Sequence, residues 1–432
     1  MKKNYAILIC GLLIMYSLPT WAQKSYFEKQ VKYLTSEKLY GRGYTHQGME
    51  NASQHIAKEL KRMGVKPVQE KFFQRHNFPI NVIHSASLEI NGQRLKYGKD
   101  FIVKPSSKSI RYTAGIQNYI FDTNAYIASF QSKEETIKFI REDEEKQKGK
   151  HIIMPPLQTS VDSIKNYYKQ WANTYEINDN TNRAIFRFVS DSLTSSLSQR
   201  QANVTEFIIK DHYYRNDLSI TNFHVDATFN PQFEFNNIIG LIEGKHKDSI
   251  LVVSAHYDHL GSVNDIYFPG ASDNASGTAM ALDLARYYSK NKPNYSIVFM
   301  FFGAEEAGIV GALKYVEQPL FPLEKIKFLV NLDIMGAGED GIQVVNGSKY
   351  SKQFDQLVKI NQDKKYLKQV KVRGESCNSD HCPFDHKGVP SFFIYTLGGK
   401  GNYHNIYDTY ENLDLSYAPK VKGLLIDFIN QL

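Results

Sequence analysis

The chain has 432 residues, of which 42% are hydrophobic and 22% are charged. These proportions are ordinary for a globular protein and exclude a chain that is mainly disordered. The formal charge of +7 is modest for this length, and the basic residues are dispersed, which argues against nucleic-acid binding. Because single cores seldom grow beyond about 250–300 residues, the length favours two domains.

The first 22 residues have the pattern of a secretory signal peptide. Lys2 and Lys3 give a positive start, residues 6–18 are mostly apolar, and small residues precede a cleavage position after Ala22. A membrane anchor is the alternative, but this apolar run is short for a bilayer. The sequence therefore predicts an exported protein, periplasmic or extracellular, that keeps no integral membrane span after cleavage.

Two of the three cysteines, Cys377 and Cys382, remain after that cleavage. In an exported chain, this close pair indicates a disulfide that closes a small loop. A metal site is the alternative, although the sequence offers no second cysteine pair to complete one.

The first two regions after the predicted cleavage position differ in the secondary structure that their sequences predict. Residues 23–88 are predicted to be largely helical, since apolar residues recur at helical spacing over 53–63. Residues 89–231 contain short strand-like runs and a charged helix around 133–148. No sequence pattern in this region indicates a catalytic or binding site. We interpret 89–231 as a smaller inserted α+β domain, so that 23–88 and 232–432 form one domain.

Strands and helices alternate from Asn236 onward. Several strands are continuously apolar, as buried strands are, which predicts an α/β fold of three layers with a mostly parallel mixed sheet. The predicted strands are 238–242, 250–255, 296–302, 326–332 and 389–395, and the predicted helices between them are 275–289, 307–317 and 353–360.

Polar side chains follow these strands where each one ends, which is where ligands bind in such folds. Taken singly, each has an ordinary explanation, such as a surface pair, a helix cap or a turn. Two histidines and several carboxylates at consecutive strand ends are hard to explain without a metal, and nitrogen with oxygen ligands suits zinc, with Mn²⁺ or Co²⁺ as alternatives. The residues are His256, Asp258, Asp273, Glu305, Glu306, Asp333 and His404.

The order of these motifs resembles one known family, the co-catalytic zinc aminopeptidases of peptidase family M28. That family includes secreted bacterial leucine aminopeptidases and relatives of glutamate carboxypeptidase. The resemblance covers 236–432 well and 30–65 loosely, and 379–384 resembles a further family motif. The matching motifs are His256-Tyr257-Asp258, Ser272-Asp273-Asn274-Ala275-Ser276-Gly277, Ala304-Glu305-Glu306, Asn331-Leu332-Asp333 and Tyr403-His404.

The resemblance implies a zinc exopeptidase fold, peptide substrates and two zinc ions that share one carboxylate. One ion would take His256 and Asp333, the other would take Glu306 and His404, and Asp273 would bridge them.

The resemblance also implies roles for two further residues. Glu305 would be the general base, and Tyr403 would polarise the scissile carbonyl. The residues themselves suggest a role for Asp258, because the two-residue period of a strand places it on the same side as His256, where its carboxylate can orient the imidazole. The insert resembles a protease-associated domain without matching a sharp motif.

Several alternatives remain beside an aminopeptidase. Gly336–Gly341 fits a dinucleotide-binding pattern, but a strand-like run follows it where that motif needs a helix, so we reject it. A carboxypeptidase, a single-zinc enzyme similar to glutaminyl cyclases, and a non-catalytic binding protein with a peptidase fold stay open. Side-chain preference and oligomeric state are not predicted.

Overall fold

The computed structural model describes residues 25–157, 159, 161–166, 168, 183–215 and 217–432. The predicted signal peptide lies outside these residues. Within them, the helices are α1 Tyr26–Leu34, α2 Gly48–Arg62, α3 Thr123–Ala128, α4 Lys133–Lys146, α5 Gly277–Tyr288, α6 Val310–Glu317, α7 Ser351–Lys364, α8 His381–His386 and α9 Ala418–Gln431.

The strands in the same part of the chain form two larger sheets and one hairpin. They are β1 Lys66–Pro67, β2 Phe73–Ile90, β3 Gln93–Arg94, β4 Phe101–Val103, β5 Ile110–Arg111, β6 Asn118–Ile120, β7 His151–Met154, β8 Ala184–Val189, β9 Thr205–Lys210, β10 Ile220–Ile242, β11 His246–His256, β12 Ser262–Val263, β13 Ile266–Tyr267, β14 Tyr295–Phe302, β15 Ile326–Leu332, β16 Ile342–Val345, β17 Val370–Val372 and β18 Ser391–Thr396.

The main sheet runs in the order β17-β16-β18-β15-β11-β14-β10-β2-β3. Its centre is parallel, because β11 pairs in parallel with β14 and β15, and β15 pairs in parallel with β18. Antiparallel neighbours, β10 beside β14 and β16 beside β18, flank that centre. Parallel strands bring their carboxyl ends to one edge of the sheet, and this alignment gathers the polar strand ends.

Helices cover both faces of this sheet. Leu251 and Val253 of β11 share a core with residues of α1, α2, α5 and α9. The alternating residues Ile250 and Val252 share a second core with residues of α6 and α8 on the opposite face. Because both faces are buried, the strand reads as a continuous apolar run. The predicted three-layer α/β class is confirmed.

The prediction of a largely helical region over 23–88 was wrong in its second half. Helices α1 and α2 lie there, but residues 73–90 form β2, which pairs with β10 over most of its length. Apolar and polar residues alternate over 78–90, which is typical of a strand. We overlooked that alternation and extended the helical prediction from α2 into these residues.

The second sheet has the order β4-β9-β8-β7-β6 and lies within residues 89–231. Helix α4 ends two residues before the predicted 148. The long antiparallel pair β2 and β10 belongs to the main sheet and also packs into the core beneath the second sheet, so two strands link both parts. The division at 89 and 231 stays a prediction.

Long apolar helices are missing from the described ranges: none there has the length and hydrophobicity to cross a membrane.

Candidate metal centre

Three strand ends and two loops bring the predicted ligands together. His256 ends β11, Asp333 directly follows β15, and Glu306 lies four residues beyond β14. Asp273 lies in the turn before α5, and His404 lies in the loop after β18. The five predicted ligands therefore converge on one site at the carboxyl edge of the sheet, as the parallel topology requires.

The two carboxylate oxygens of Asp273 face different histidines. Oδ1 lies 3.2 Å from Nε2 of His256, and Oδ2 lies 3.1 Å from Nε2 of His404. Asp333 Oδ1 lies 3.3 Å from the same nitrogen of His256, and Glu306 Oε2 lies 2.9 Å from that of His404. Two groups of nitrogen and oxygen donors thus share one carboxylate.

Two ligand groups with spacing suitable for a metal ion are found around Asp273. One contains His256, Asp273 and Asp333, and the other contains His259, Asp273, Glu306 and His404. His259 was missed by the sequence analysis, although it stands three residues after His256. Its Nδ1 lies 2.5 Å from Glu306 Oε1, and its Nε2 is buried without a hydrogen-bond partner among the described residues.

The acids and histidines of the site shift each other's pKa values. Burial alone would lower the pKa of His404, but the carboxylates of Glu306 and Asp273 raise it to about 11. Burial alone would likewise lower the pKa of His256, and Asp333 and Glu305 raise it well above its usual value. The site attracts positive charge strongly, which is the property that a cation site requires.

The neighbouring glutamates behave differently. Burial raises the pKa of Glu306, but its neighbours His404 and His259 reverse that effect and lower it to about 2. Burial raises the pKa of Glu305 well above the usual range; His256 opposes this effect, and nearby carboxylates add to it. A carboxyl group that holds its proton more firmly suits proton transfer, and one that stays ionised suits metal ligation.

Asp258 contacts different groups from those that the sequence suggested. Its Oδ1 accepts from the amide N–H of Glu305 at 3.0 Å, and its Oδ2 accepts from that of Glu306 at 3.3 Å. Its Oδ1 lies 3.7 Å from His256 Nδ1, which is beyond hydrogen-bond distance, and its main-chain oxygen is nearer to that nitrogen, at 3.3 Å. Asp258 therefore orients the backbone of the glutamate pair, and its carboxylate contacts His256 less directly.

Tyr403 is half-exposed and stacks on His404, with ring centroids 3.8 Å apart. It borders a cavity of about 160 Å³ that also contacts Asp273. Other lining residues include Ile334, Ala337 and Thr396. Its predicted role toward a carbonyl stays a prediction.

Two supporting residues were not predicted. Ser379 donates its hydroxyl to Asp333 Oδ2 at 2.8 Å and accepts from Asn331 Nδ2 at 2.8 Å. Asp408 accepts from the amide N–H groups of Ser272 and Asp273, which fixes the loop of the shared carboxylate. The predicted disulfide between Cys377 and Cys382 is confirmed, and it closes the loop that carries Ser379.

Residues of the 89–231 region also reach the site. The main-chain oxygen of Ser195 lies 3.1 Å from His404 Nδ1, and the amide N–H of Ser195 donates to the main-chain oxygen of His404 at 2.8 Å. Gln199 donates its side-chain amide to the main-chain oxygen of Ala307, next to Glu306, at 2.7 Å. We call residues 193–199 the strap. A metal-binding histidine commonly gives its second ring N–H to a carbonyl in this way.

A larger cavity, of about 720 Å³, lies elsewhere in the insert and is lined by residues such as Tyr168, Arg187 and His212. None of the predicted site residues lines it, so size does not identify the chemical site here.

Known proteins resemble this site-bearing part of the chain. Residues 237–429 match the model of peptidase family M28. The match confirms the resemblance that the motifs indicated, and the M28 segment holds every predicted site residue.

Two curated relatives match part of the chain. Aminopeptidase YwaD of Bacillus subtilis is 34% identical over 167 residues, which are 36% of this chain and 34% of that protein. A vacuolar membrane protease of Candida glabrata is 33% identical over 165 residues, which are 35% of this chain and 17% of that protein. The chain thus matches about a third or less of the length of these relatives.

Solved structures align with nearly the whole chain. One of them, BSAP, a zinc aminopeptidase from Bacillus subtilis, aligns over 94% of both chains with a TM-score of 0.66 and 18% identity. At that identity the likeness shows the fold alone. The family match supports the predicted metallo-exopeptidase.

Proposed function

We propose that this chain is a zinc-dependent exopeptidase that releases N-terminal residues from peptides, with two ions sharing Asp273. The observation that carries the proposal is the placement of Asp273, which presents one carboxylate oxygen to each of two histidines. A lone structural carboxylate has no need of two such partners, whereas a bridging ligand does.

The donor set fits zinc. Each ion would have imidazole nitrogen and carboxylate oxygen, and the described residues place no thiolate in either group around Asp273. The carboxylates are almost fully buried, and buried anions are costly unless cations compensate them. We assign His256, Asp273 and Asp333 to one ion, and Asp273, Glu306 and His404 to the other.

When bound at these residues, zinc would supply a Lewis acid that polarises the scissile carbonyl and lowers the pKa of water. The chain itself moves the proton. Glu305, beside His256 and with a raised pKa, accepts the proton from the attacking water and passes it to the leaving amine. Tyr403 would donate its hydroxyl to the oxygen that gains charge.

The cavity of about 160 Å³ next to Asp273 would accept the first side chain of the peptide. The strap would form one boundary of the site and hold His404 through Ser195. Release of N-terminal residues is favoured by the aminopeptidase relative named above. We retain the insert boundaries 89–231 as part of this proposal.

A single-zinc enzyme similar to glutaminyl cyclases is the second candidate. A single ion at Glu306 and His404 would leave the buried Asp333 and the mostly buried Glu305 without a cation beside them. A binding protein without activity is a third candidate, and it would have no need of Glu305 beside the ligands.

One assay separates the three candidates. Metal-free protein, restored with zinc, is given a fluorogenic aminoacyl amide, its N-acetylated counterpart, and a peptide with N-terminal glutamine. Zinc-dependent hydrolysis of the free-amine substrate alone is the expected result. Cyclisation of the glutamine peptide without hydrolysis indicates the cyclase, and neither reaction indicates a binding protein.

We also propose export, with cleavage after Ala22. The disulfide between Cys377 and Cys382 supports an oxidising compartment. Sequencing the N-terminus of protein recovered from the cell exterior or periplasm tests this, and the expected first residue is Gln23. Protein that stays in the cytoplasm with Met1 intact would contradict it.

A further inference from the structure

Arg42 is a completely buried arginine at the end of the short helical turn Glu37–Arg42. It lies outside the M28 segment, and no role was predicted for it. All of its hydrogen bonds from the guanidinium group go to main-chain carbonyl oxygens. The acceptors are Tyr257 at 2.8 Å from Nε, Leu34 at 2.8 Å and Pro269 at 2.7 Å from Nη1, and Gly270 at 2.8 Å and Asp273 at 3.4 Å from Nη2.

These five acceptors use the whole capacity of the side chain, because a guanidinium group has five N–H donors in a rigid plane. No carboxylate in the described ranges lies within ion-pair distance of Arg42. Burial lowers the pKa of Arg42 to about 10, and the acids of the metal centre, which include Asp273 and Asp258, offset part of that cost through space. Arg42 is therefore held by its five hydrogen bonds and by the negative charge of the acids at the metal centre.

Four of the five acceptors lie in segments that carry predicted metal ligands. Tyr257 stands between His256 and Asp258 at the end of β11. Pro269, Gly270 and Asp273 belong to the loop that presents the shared carboxylate. One planar group thus ties the backbone that carries a ligand of the first ion to the backbone that carries the bridge.

Close backbone contacts seat Arg42 in this position. A Cβ atom on Gly43 would lie 2.2 Å from Gly261 Cα, and one on Gly41 would lie 2.5 Å from Gly261 O. The amide N–H of Gly261 donates to Gly41 O at 3.1 Å, and that of His259 donates to Arg42 O at 3.2 Å. The two glycines let the segment approach closely enough for the guanidinium to reach all five carbonyls.

We infer that Arg42 is a positioning residue for the paired metal site: its guanidinium fixes the spacing between the backbone of His256 and that of Asp273. The inference rests on the proposed two-ion function. Lysine has three donors on a flexible stem and cannot reproduce this planar fork, although it keeps the charge. Substitution of Arg42 by lysine therefore tests the planar hydrogen-bonding geometry while the positive charge is kept.

The test compares the wild-type protein with Arg42→Lys and Arg42→Met. The control is Arg183→Lys, since Arg183 is also buried and donates to a main-chain oxygen, that of Gln147, in the insert. Binding of Co²⁺ is titrated, and magnetic coupling between the two ions is followed by electron paramagnetic resonance. Thermal unfolding of each variant is recorded beside the titration.

We expect both Arg42 variants to bind one ion near wild-type affinity and the second about 10–100-fold more weakly, with coupling reduced or lost. The control should match the wild type. Unchanged affinity and coupling in Arg42→Lys overturns the inference. So does tighter metal binding by Arg42→Met, because that result indicates a charge effect. If the wild type itself binds a single ion, the proposed function fails instead.

A second measurement needs no variant and serves if the substitutions prevent folding. Hydrogen exchange of the amides in 257–261 and 270–274 is measured in metal-free and zinc-loaded wild-type protein. Protection that is already present without zinc is expected, since Arg42 holds these loops before metal binds. Protection that arises only with zinc would contradict the inference.

Discussion

The carboxyl edge of the main sheet and the two segments that support it from outside differ in the kind of contact they make. At the edge, His256, Asp273 and Glu306 act through ionisable side chains. The supporting segments are the strap and residues 41–43, and their hydrogen bonds to the site mostly involve main-chain oxygen atoms. The reactive side chains lie at the edge of the sheet. In our proposal, segments that are distant in the chain set the distances between those side chains.

The largest effect is expected from the glutamate pair at the edge. Glu305→Gln keeps the shape but cannot accept a proton, so kcat should fall by about 10²–10⁴-fold with metal content unchanged. Glu306→Gln should lose metal, because the carboxylate beside His404 is weakened as a ligand. Metal content and kcat of the two variants are measured side by side. Metal loss in Glu305→Gln with full occupancy in Glu306→Gln would reverse the two roles.

The clustering of side chains at the edge could be predicted because metal ligands must be particular residue types at strand ends. The structure brings together six of the side chains that the sequence suggested, and their roles stay predictions: His256, Asp273, Glu305, Glu306, Asp333 and His404.

The supporting segments could not be predicted in the same way. Every residue has a main-chain carbonyl oxygen, so the residue types of Ser195 and Tyr257 do not show that their carbonyl groups accept hydrogen bonds at the site. The strap is 209 residues from His404 along the chain, and no local pattern reports such a contact. His259 is different, because a second histidine three residues after His256 was a signal that we did not use.

Substitution of His259 tests which histidines at the edge bind metal directly and which only orient a ligand. His404→Ala should remove a ligand and steeply reduce both binding of one ion and activity. His259→Ala should weaken the same ion by about 10–100-fold, since its Nδ1 faces Glu306 and residues that orient ligands have effects of that size. Zinc titration of both variants gives the comparison. Equal losses in the two variants would make His259 a ligand in its own right.

Removal of metal should make the stability of the protein depend on pH. The pKa of His404 is raised to about 11 in the folded state, so the stability it contributes is full below its unfolded value of about 6.5 and is lost as pH rises toward 11. The raised pKa of His256 acts in the same direction. Between pH 6.5 and 9, the metal-free protein should therefore lose thermal stability, and the zinc-loaded protein should lose much less. Calorimetry of both forms checks this, and parallel pH profiles would contradict it.

The smallest effect is expected at the strap. Gln199→Ala removes one hydrogen bond to Ala307, next to Glu306, and should lower kcat/KM by about 2–10-fold, the range of a single net hydrogen bond. Gln201→Ala is the control, because Gln201 donates to Asn81 rather than to the site. Steady-state kinetics of both variants are compared with the wild type. An equal loss in both would mean that the strap acts only through overall stability.

The central claim is that two metal ions share Asp273. The most direct test is elemental analysis of protein purified without chelator, followed by zinc titration of the metal-free protein with hydrolysis of an aminoacyl amide recorded at each step. We predict two zinc ions per chain and full activity only at the higher occupancy. A single zinc ion that titration cannot increase, together with cyclisation of N-terminal glutamine and no hydrolysis, would contradict the claim.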